Sequence, residues 1–550
     1  MYLRRLPFLA AALSTSFAQV QAATIQRKGD LHIVNKDISP DGFTRSSVLS
    51  NGEFPGPVIT ANKGEDLEIT VFDELTDKRM DVLTSVHWHG IESRGRPFDD
   101  GTPSLTQCPI VPGNSFTYKV ETGTQAGTFW YHSHFGAQFC DGLRGPLIIY
   151  DPNDPHKSLY DVDDGGFTLY CTIMRLESPT FATESTIITL ADCETPYTLI
   201  NGKGRYPGGP ATPFSIINVE QGKRYRFRLI SMGCDPSWNF SIDGHSMSFI
   251  EADGVSHNPV TADEVRIFAG MFTLSEAKEI FELTTKSRIG QRYSAVVKAD
   301  QKVGNYWVRA NPNFPGIPGF ANGTNLAILR YKGAAVADPG SDSQPKPSPK
   351  QLEERDLHPT VNPGAPGKKE IDGADVNINM LLTLDQPGDK FFINGVSMTY
   401  PNVPVILQIL SGQTDPKKLL PQGSVYELPR NKSIQLSFPT EDGSLAAPHP
   451  YHLHGHSFDV IRSAGSSVYN YDNPVRRDTV NIGMPGDNVT IRFRTDNTGP
   501  WIMHCHVARH AEIGLGVVLA EDIQGIQSNL KPDDAWNSLC PAYEEFIKSN

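Results

Sequence analysis

The sequence predicts an all-β protein built from three successive β-sandwich domains. Its 550 residues include 48 glycines and 42 prolines. Short runs of Val, Ile, Thr, Tyr and Phe are interrupted by turn residues, a pattern typical of sandwiches. The chain is too long for one ordinary hydrophobic core, so two to four domains are expected. Composition breaks along the chain favour three.

The domains follow one another in chain order. The first is predicted at 24–150, and the sequence Asp-Pro-Asn-Asp-Pro at 151–155 marks its end. The second is predicted at 151–332. The stretch 333–370 is rich in Pro, Ser, Lys and Asp and is predicted to be a linker. The third domain is predicted at 371–550.

The N-terminal residues 1–23 have the features of a secretory signal peptide. Arg4 and Arg5 precede an apolar run at 6–17, and small residues end near Ala23. The apolar run is too short to span a bilayer, so we expect a secreted, extracellular protein that is not membrane-bound. The net charge of −13 argues against a nucleic-acid partner. Four glycosylation sequons fit this context, at Asn239, Asn322, Asn431 and Asn488.

The segment 499–515 carries the strongest chemical signal. Cys505 lies between His504 and His506, and His510 follows five residues after the cysteine. Because side chains alternate faces on a strand, Cys505 is expected on one face and its two neighbours on the other. A thiolate with imidazoles is typical of a blue-copper site. Taken alone, the segment would favour a free buried cysteine near surface histidines.

Three further histidine clusters change that balance. Each contains a His-x-His pair, which places both imidazoles on one face of a strand. Taken singly, each pair is more typical of solvated or core histidines than of metal ligands. Eleven of the 16 histidines fall in the four motifs together, which predicts a shared metal cluster. The three clusters are His87 with His89, His132 with His134, and His449 with His452, His454 and His456.

Five further segments carry long, specific motifs. They are Gly-Thr-Phe-Trp-Tyr-His-Ser-His at 127–134, Gln-Phe-Cys-Asp-Gly-Leu-Arg-Gly-Pro at 138–146, Tyr-Arg-Phe-Arg-Leu at 225–229, Asn-Tyr-Trp-Val-Arg-Ala at 305–310 and Asn-Val-Thr-Ile-Arg-Phe-Arg at 488–494. With the histidine motifs, they resemble the multicopper oxidases, and most closely the fungal laccases of the basidiomycete type. The resemblance covers nearly the whole chain after residue 23. It implies three cupredoxin-like Greek-key sandwiches and four copper ions.

The resemblance also implies which residues hold each copper. His449, Cys505 and His510 match the ligands of the blue, type 1 copper, and Leu515 matches its axial position. Leucine does not coordinate, which favours Cu(I) and raises the potential relative to a methionine ligand. The remaining ligands form the trinuclear cluster: His87 and His452 for type 2 copper, and His89, His132, His134, His454, His504 and His506 for the type 3 pair. His456 is expected to be structural.

The implied reaction is the oxidation of small phenols or aromatic amines by O2. The substrate gives one electron at a time to the type 1 copper through the edge of His510. Cys505 and its histidine neighbours carry each electron to the trinuclear cluster, where four electrons reduce O2 to water. The copper ions supply the redox chemistry, and the protein sets geometry and potential. We expect a monomer.

Three carboxylates are candidates for proton handling. Asp100 matches an acidic family position near the cluster, and Asp478 is a further candidate. A turn-capping or salt-bridged aspartate is the alternative for each, and it is the favoured one for Asp478. Asp235 matches a family carboxylate at the substrate pocket and would accept the phenolic proton. Its alternative role is to start a turn before Pro236.

Six cysteines remain once Cys505 is assigned to copper, and in a secreted chain they are disulfide candidates. The resemblance implies the pairs Cys108–Cys540 and Cys140–Cys234. Cys171 and Cys193 match no family position, and the sequence leaves their pairing open.

The chain departs from the family in several places. Ala508 and Arg509 stand where the family has Asp-Trp, and the loop after Asp192 is shorter than the family's. The segments 165–183 and 271–290 have no family counterpart. We interpret 271–290, and with less support 165–183, as translated intron sequence. A genuine surface-loop insertion is the alternative.

Two other functions remain open from the sequence. A ferroxidase would share the fold but needs carboxylates near the type 1 histidines to bind Fe(II), and Asp235 alone is thin support. A copper-binding secreted protein without turnover is the second. The altered segments favour it, and the complete ligand set argues against it.

Overall fold

A computed structural model describes residues 24–550, except 164–167, 173–198, 206–208, 235–237, 268–289, 313–324, 342, 386–389, 421–422 and 441–448. The described chain is built mainly from β-strands, which confirms the all-β prediction. The predicted signal peptide, Cys193, the loop after Asp192 and the sequon Asn322 lie outside the described residues.

The first domain packs two sheets against each other. Alternating apolar residues in its strands, such as Leu67, Ile69 and Val71, are fully buried between the sheets. The sheets have the strand orders β1-β4-β9-β8-β6 and β3-β2-β5-β7. The strands are β1 (Thr24–Ile25), β2 (Lys28–Ile38), β3 (Arg45–Ser50), β4 (Val58–Asn62), β5 (Leu67–Asp73), β6 (His87–His89), β7 (Ser115–Val120), β8 (Gly127–His132) and β9 (Arg144–Tyr150).

The second domain is also a two-sheet sandwich. Its sheets have the orders β11-β10-β13-β18-β15-β16 and β12-β20-β19-β14-β17. The strands are β10 (Thr168–Thr172), β11 (Leu199–Ile200), β12 (Ile216–Val219), β13 (Arg224–Ser231), β14 (Trp238–Ile242), β15 (Met247–Ala252), β16 (Val255–Ala262), β17 (Glu264–Ile267), β18 (Arg292–Lys298), β19 (Asn305–Pro312) and β20 (Leu326–Tyr331).

Strand β10 lies inside the segment 165–183, for which the sequence analysis considers an intron origin. It pairs in parallel with β13, with Thr168 opposite Arg228 and Cys171 opposite Ser231. This pairing makes the strand part of the sheet and counts against an intron origin for that part of the segment. The segment 271–290 lies outside the described residues except for Gly290.

The third domain has two five-stranded sheets and a small hairpin. The orders are β21-β25-β30-β27-β28, β24-β32-β31-β26-β29 and β22-β23. The strands are β21 (Val376–Asn379), β22 (Leu382–Leu384), β23 (Phe391–Ile393), β24 (Val425–Leu428), β25 (Ser433–Pro439), β26 (Pro450–Leu453), β27 (Phe458–Arg462), β28 (Val475–Arg477), β29 (Thr479–Asn481), β30 (Asn488–Arg494), β31 (Gly499–Cys505) and β32 (Gly516–Glu521). The α-helices are α1 (Val405–Leu410), α2 (Ala508–Glu512), α3 (Ile523–Asn529) and α4 (Asp534–Ser549).

Strand β31 is buried on both faces and connects two hydrophobic cores. Trp501, Met503 and Cys505 belong to the core shared by the second and third domains. Ile502 belongs to the core of the first domain, which α1, α3 and α4 complete. The alternation of side chains along this strand therefore directs neighbouring residues into different domains.

Within the described parts of the chain two disulfides are formed, as the family resemblance implies. Cys108–Cys540 joins the first domain to α4 and closes 432 residues, and Cys140–Cys234 joins the first two domains. Trp536 of α4 adds to the first attachment, since its indole N–H donates to the carbonyl of Thr106 at 2.9 Å.

We predict that replacing Cys108 and Cys540 together by alanine detaches α4. The free energy of unfolding of the copper-free protein should fall by about 2–5 kcal/mol, because the unfolded chain gains the freedom of a large loop. Denaturant titration and limited proteolysis of α4 measure the two effects. The control is the double replacement of Cys140 and Cys234. Their disulfide closes a loop of 94 residues and does not involve α4. Equal cleavage of α4 in both double variants would contradict the prediction.

Candidate metal centres

The first centre is a triangle of one sulfur and two nitrogens beneath β31. Cys505 Sγ lies 3.6 Å from His449 Nδ1 and 3.6 Å from His510 Nδ1, and the two nitrogens are 3.2 Å apart. A trigonal metal about 2.0 Å from nitrogen and about 2.3 Å from sulfur would give spacings of about 3.5 and 3.7 Å. The site therefore fits the His2Cys donor set of blue copper.

Leu515 is fully buried in the same core as Cys505. Its backbone ties the loop together, because its amide donates to the carbonyl of His510 and its carbonyl accepts from the amide of Cys505. The side chain has no donor atom. This environment is consistent with the non-coordinating axial position expected from the sequence.

The second centre lies between the first and third domains. Strand register brings its histidines together in pairs: His87 lies opposite His132 on β6 and β8, and His452 lies opposite His504 on β26 and β31. The ligand atoms group as His87, His89 and His452; as His89, His132 and His506; and as His134, His454 and His504, with the atoms of each group within 4.8 Å of one another. All eight predicted histidines are therefore in one cluster.

The hydrogen bonds of His454 and His504 show that the cluster is built for a cation. His504 Nδ1 donates to the carbonyl of Cys505, and His454 Nδ1 donates to Asp100. A neutral imidazole that donates from one nitrogen carries a lone pair on the other. The two Nε2 atoms face each other at 3.3 Å. Two lone pairs at this distance repel each other, and a metal ion bound between them removes the repulsion.

Three further inner nitrogens support the same conclusion. His87, His132 and His452 donate from Nδ1 to backbone carbonyls. Their Nε2 atoms are buried and have no hydrogen-bond partner. Buried polar atoms are normally satisfied, so this set of orphaned acceptors fits bound metal. Soft thiolate and imidazole donors suit copper.

Burial keeps two of the grouped histidines, His449 and His134, neutral. It lowers the pKa of His449 to about 4. Burial, with the neighbouring His87, lowers the pKa of His134 to about 3. An imidazole binds metal through its unprotonated nitrogen, so these residues are ready to coordinate at neutral pH.

Asp100 and Asp478 contact the outer sides of the cluster from opposite domains. Asp100 Oδ2 lies 3.0 Å from His454 Nδ1, and the Asp100 carbonyl accepts from His87 Nδ1. Asp478 Oδ1 lies 3.4 Å from His89 Nε2, and the Asp478 carbonyl accepts from His452 Nδ1. The salt-bridged alternative also holds for Asp478, because Arg292 binds it.

Other predicted residues lie apart from the centres or outside the description. His456 donates to the buried Glu521 at 2.8 Å, which fits the structural role expected for it. Asp235 and the side chain of Arg509 are not among the described parts of the chain. Two residues beside the cluster, Arg292 and Thr479, belong to no motif that the sequence analysis could use. The Thr479 hydroxyl lies 3.3 Å from both His89 Nε2 and His452 Nδ1.

A His2Cys site joined through one strand to an eight-histidine cluster defines an oxidase of the copper-dependent class. Three family models described as multicopper oxidase match residues 32–154, residues 180–273 with 287–334, and residues 398–525. The chain belongs to the multicopper oxidase family. This membership confirms the resemblance and implies four copper ions, with which the grouped residues are consistent.

Curated relatives match over nearly the full length. Laccase-4 of Trametes villosa is 48% identical over 98% of both chains. The laccase of Phlebia radiata is 48% identical over 100% of this chain and 99% of its own. Laccase-1 of Pleurotus ostreatus is 48% identical over 96% of this chain and 95% of its own.

Solved structures share the fold. The laccase of Botrytis aclada superposes with a TM-score of 0.77 at 28% identity, covering 96% of this chain and 93% of its own. Fet3p, a multicopper oxidase that functions in iron import, superposes with a TM-score of 0.79 at 25% identity, covering 94% and 95%. The three-sandwich, cupredoxin-like prediction is confirmed by these similarities.

We predict that Cys505→Ser removes the blue centre selectively. A hydroxyl does not replace the thiolate, so the intense visible absorption should disappear. The histidines at 504 and 506 remain in place, so about three coppers per chain should be retained. Absorption spectroscopy and copper analysis measure both effects. Loss of all copper would show that the two centres do not form independently.

Proposed function

We propose that the chain is a laccase-type oxidase that oxidises small phenols or aromatic amines and reduces O2 to water. The complete donor set at both centres and the near-full-length similarity to curated laccases support this function. The observation that carries it is the covalent connection between the centres: Cys505 belongs to one, and its chain neighbours His504 and His506 belong to the other.

Bound copper would supply one-electron oxidation at the first centre and four-electron reduction of O2 at the second. The protein residues determine how the substrate reaches the first. His510 retains 7% exposure, against 2% for His449 and none for Cys505. The His510 ring is therefore the ligand edge nearest solvent and the proposed point of electron entry. Phe391 packs against it with ring centroids 4.6 Å apart and limits access.

Proton handling is assigned to carboxylates. Asp100 and Asp478 are buried and directly contact histidines of the cluster, so each is placed to hold a proton beside it. Asp235 is proposed to accept the phenolic proton at the substrate pocket. It directly follows Cys234, which the disulfide to Cys140 fixes against the first domain.

Several features of the proposed protein rest on the sequence. The domain boundaries, the monomeric state and secretion through residues 1–23 belong to this proposal. Among the residues that the structure describes, no helix has the length and apolarity that a membrane crossing requires.

An intron origin is proposed for the segment 271–290. The matching family model omits 274–286. Gly270 also precedes the segment, so its removal still leaves a glycine before Gln291. Mature transcript that retains these codons would refute this origin.

The expected activity is oxygen uptake driven by a phenol. The copper-loaded chain should show intense blue absorption and consume O2 faster with a phenol than with Fe(II), because its full-length relatives are laccases. Faster uptake with Fe(II) would identify the ferroxidase alternative. Blue absorption without uptake from either donor would identify a copper-binding protein without turnover. The Cys505→Ser variant is the control for adventitious copper.

We predict that Leu515→Met lowers the potential of the blue centre by tens of millivolts. A thioether in the axial position stabilises Cu(II) relative to Cu(I). Redox titration of the blue absorption measures the change. Leu519→Met is the matched control, because Leu519 is equally buried but lies opposite Trp501, away from the ligand loop. An equal shift in both variants would contradict an axial role for Leu515.

A further inference from the structure

We infer that Arg292 of the second domain is a positioning residue for the trinuclear centre, to which that domain contributes no predicted ligand. The inference rests on the copper sites proposed above and assigns a new residue to them. Arg292 acts through Asp478, whose side chain and carbonyl contact His89 and His452. The second domain thereby orients ligands that come from the first and third domains.

The contact between Arg292 and Asp478 is bidentate and fully buried. Arg292 Nη1 donates to Asp478 Oδ1 and Nη2 donates to Oδ2, each at 2.6 Å. Neither side chain is exposed by more than 2%. A planar guanidinium fixes both carboxylate oxygens in one plane, which an ammonium does not do. Asp478 therefore has one orientation, with Oδ1 toward His89 Nε2 and also accepting from the Thr479 hydroxyl.

The guanidinium is itself held by the first domain. Arg292 Nε donates to the carbonyl of Thr128 at 3.1 Å, and its cationic carbon lies 5.7 Å from the ring centroid of Phe129. Strand β8, which contains both residues, ends at the ligand His132. One side chain of the second domain therefore connects the ligand-bearing strand of the first domain to the ligand-orienting carboxylate of the third.

Two glycines leave space for this arrangement. A Cβ at Gly90 would come within 2.2 Å of Arg292 Nη2 and 2.8 Å of Asp478 Oδ2. A Cβ at Gly290 would lie 3.2 Å from His89 Cε1, and the Gly290 carbonyl accepts from Arg292 Nη1 at 3.3 Å. Both glycines have positive φ, which they adopt without strain. Glycine at position 90 thus leaves room for the guanidinium, and glycine at position 290 leaves room for the His89 ring.

A second buried arginine strengthens the same junction. Asp253 of the second domain accepts from Arg477 Nε at 2.9 Å and from the Arg292 amide at 2.8 Å. Arg477 immediately precedes Asp478. Asp253 therefore holds both the backbone of Arg292 and the side chain next to Asp478. Buried ion pairs contribute little net stability once desolvation is counted. Their concentration beside the cluster is better explained by geometry than by stability.

The test replaces Arg292 by lysine, which keeps the charge and loses the fork. Chelator competition should show weaker retention of the trinuclear coppers by about 10–100-fold, the usual effect of removing support from a metal ligand. The electron paramagnetic resonance signal of type 2 copper should change. The blue absorption should persist, because none of these contacts touches the first centre.

Arg228→Lys is the matched control. Arg228 is buried, belongs to the same domain, binds Asp163 through two bonds of 3.0 and 2.7 Å and donates to the Thr128 hydroxyl at 2.9 Å. It therefore shares a contact to Thr128 with Arg292 but has no contact to Asp478, so it isolates the effect of the Arg292–Asp478 pair. Melting of the copper-free proteins compares their stability. Unchanged copper retention and resonance signal in Arg292→Lys, or an equal loss in Arg228→Lys, would overturn the inference.

Asp478→Asn covers the case in which Arg292→Lys does not fold. The amide of the variant has the size of the carboxyl but only one acceptor oxygen. Its NH2 group must face either the His89 N–H or the Arg292 guanidinium, and it can accept from neither. The same selective loss of trinuclear copper is therefore expected. Full retention there would also overturn the inference. Failure of the proposed function has a different signature, since the unchanged chain would then lack blue absorption or oxygen uptake.

Discussion

The structure depends on buried imidazoles of the first and third domains whose unshared electron pairs point into one cluster. His454 and His504 are the clearest case, because hydrogen bonds at Nδ1 fix the lone pairs of both residues inward. Orphaned buried acceptors cost free energy in a copper-free chain. Metal binding converts that cost into binding free energy, and so couples copper loading to assembly of the domains.

The interface that carries this cost is stabilised elsewhere. Ile502 and Val518 pack into the first domain's core, and the Cys108–Cys540 disulfide closes the same junction. These contacts are apolar or covalent, so they do not require copper. The first and third domains can therefore pack together before copper binds. The histidines are then already close to one another when the ions arrive.

The sequence predicted what depends on local periodicity. Alternation along β31 separates Cys505 from His504 and His506, and the His-x-His pairs occur where strand register brings them together. Arg292 could not be found in this way. It meets Asp478 186 residues further along the chain, and neither residue belongs to a metal-ligand motif. Long-range packing alone makes that contact visible.

Sequence motifs do not detect a strand whose place in the sheet depends on backbone hydrogen bonds and not on particular side chains. Thr168–Thr172 lies in a segment that the sequence motifs left unmatched, yet β10 pairs in register with β13. Hydrogen bonds of a parallel ladder use backbone groups and tolerate many side chains. Gly290 shows the opposite case, since its φ is positive and a Cβ there would crowd His89 Cε1 at 3.2 Å. The segment 271–290 therefore affects the copper cluster mainly at its C-terminal end. There the chain must place a glycine next to His89 and Arg292 next to Asp478.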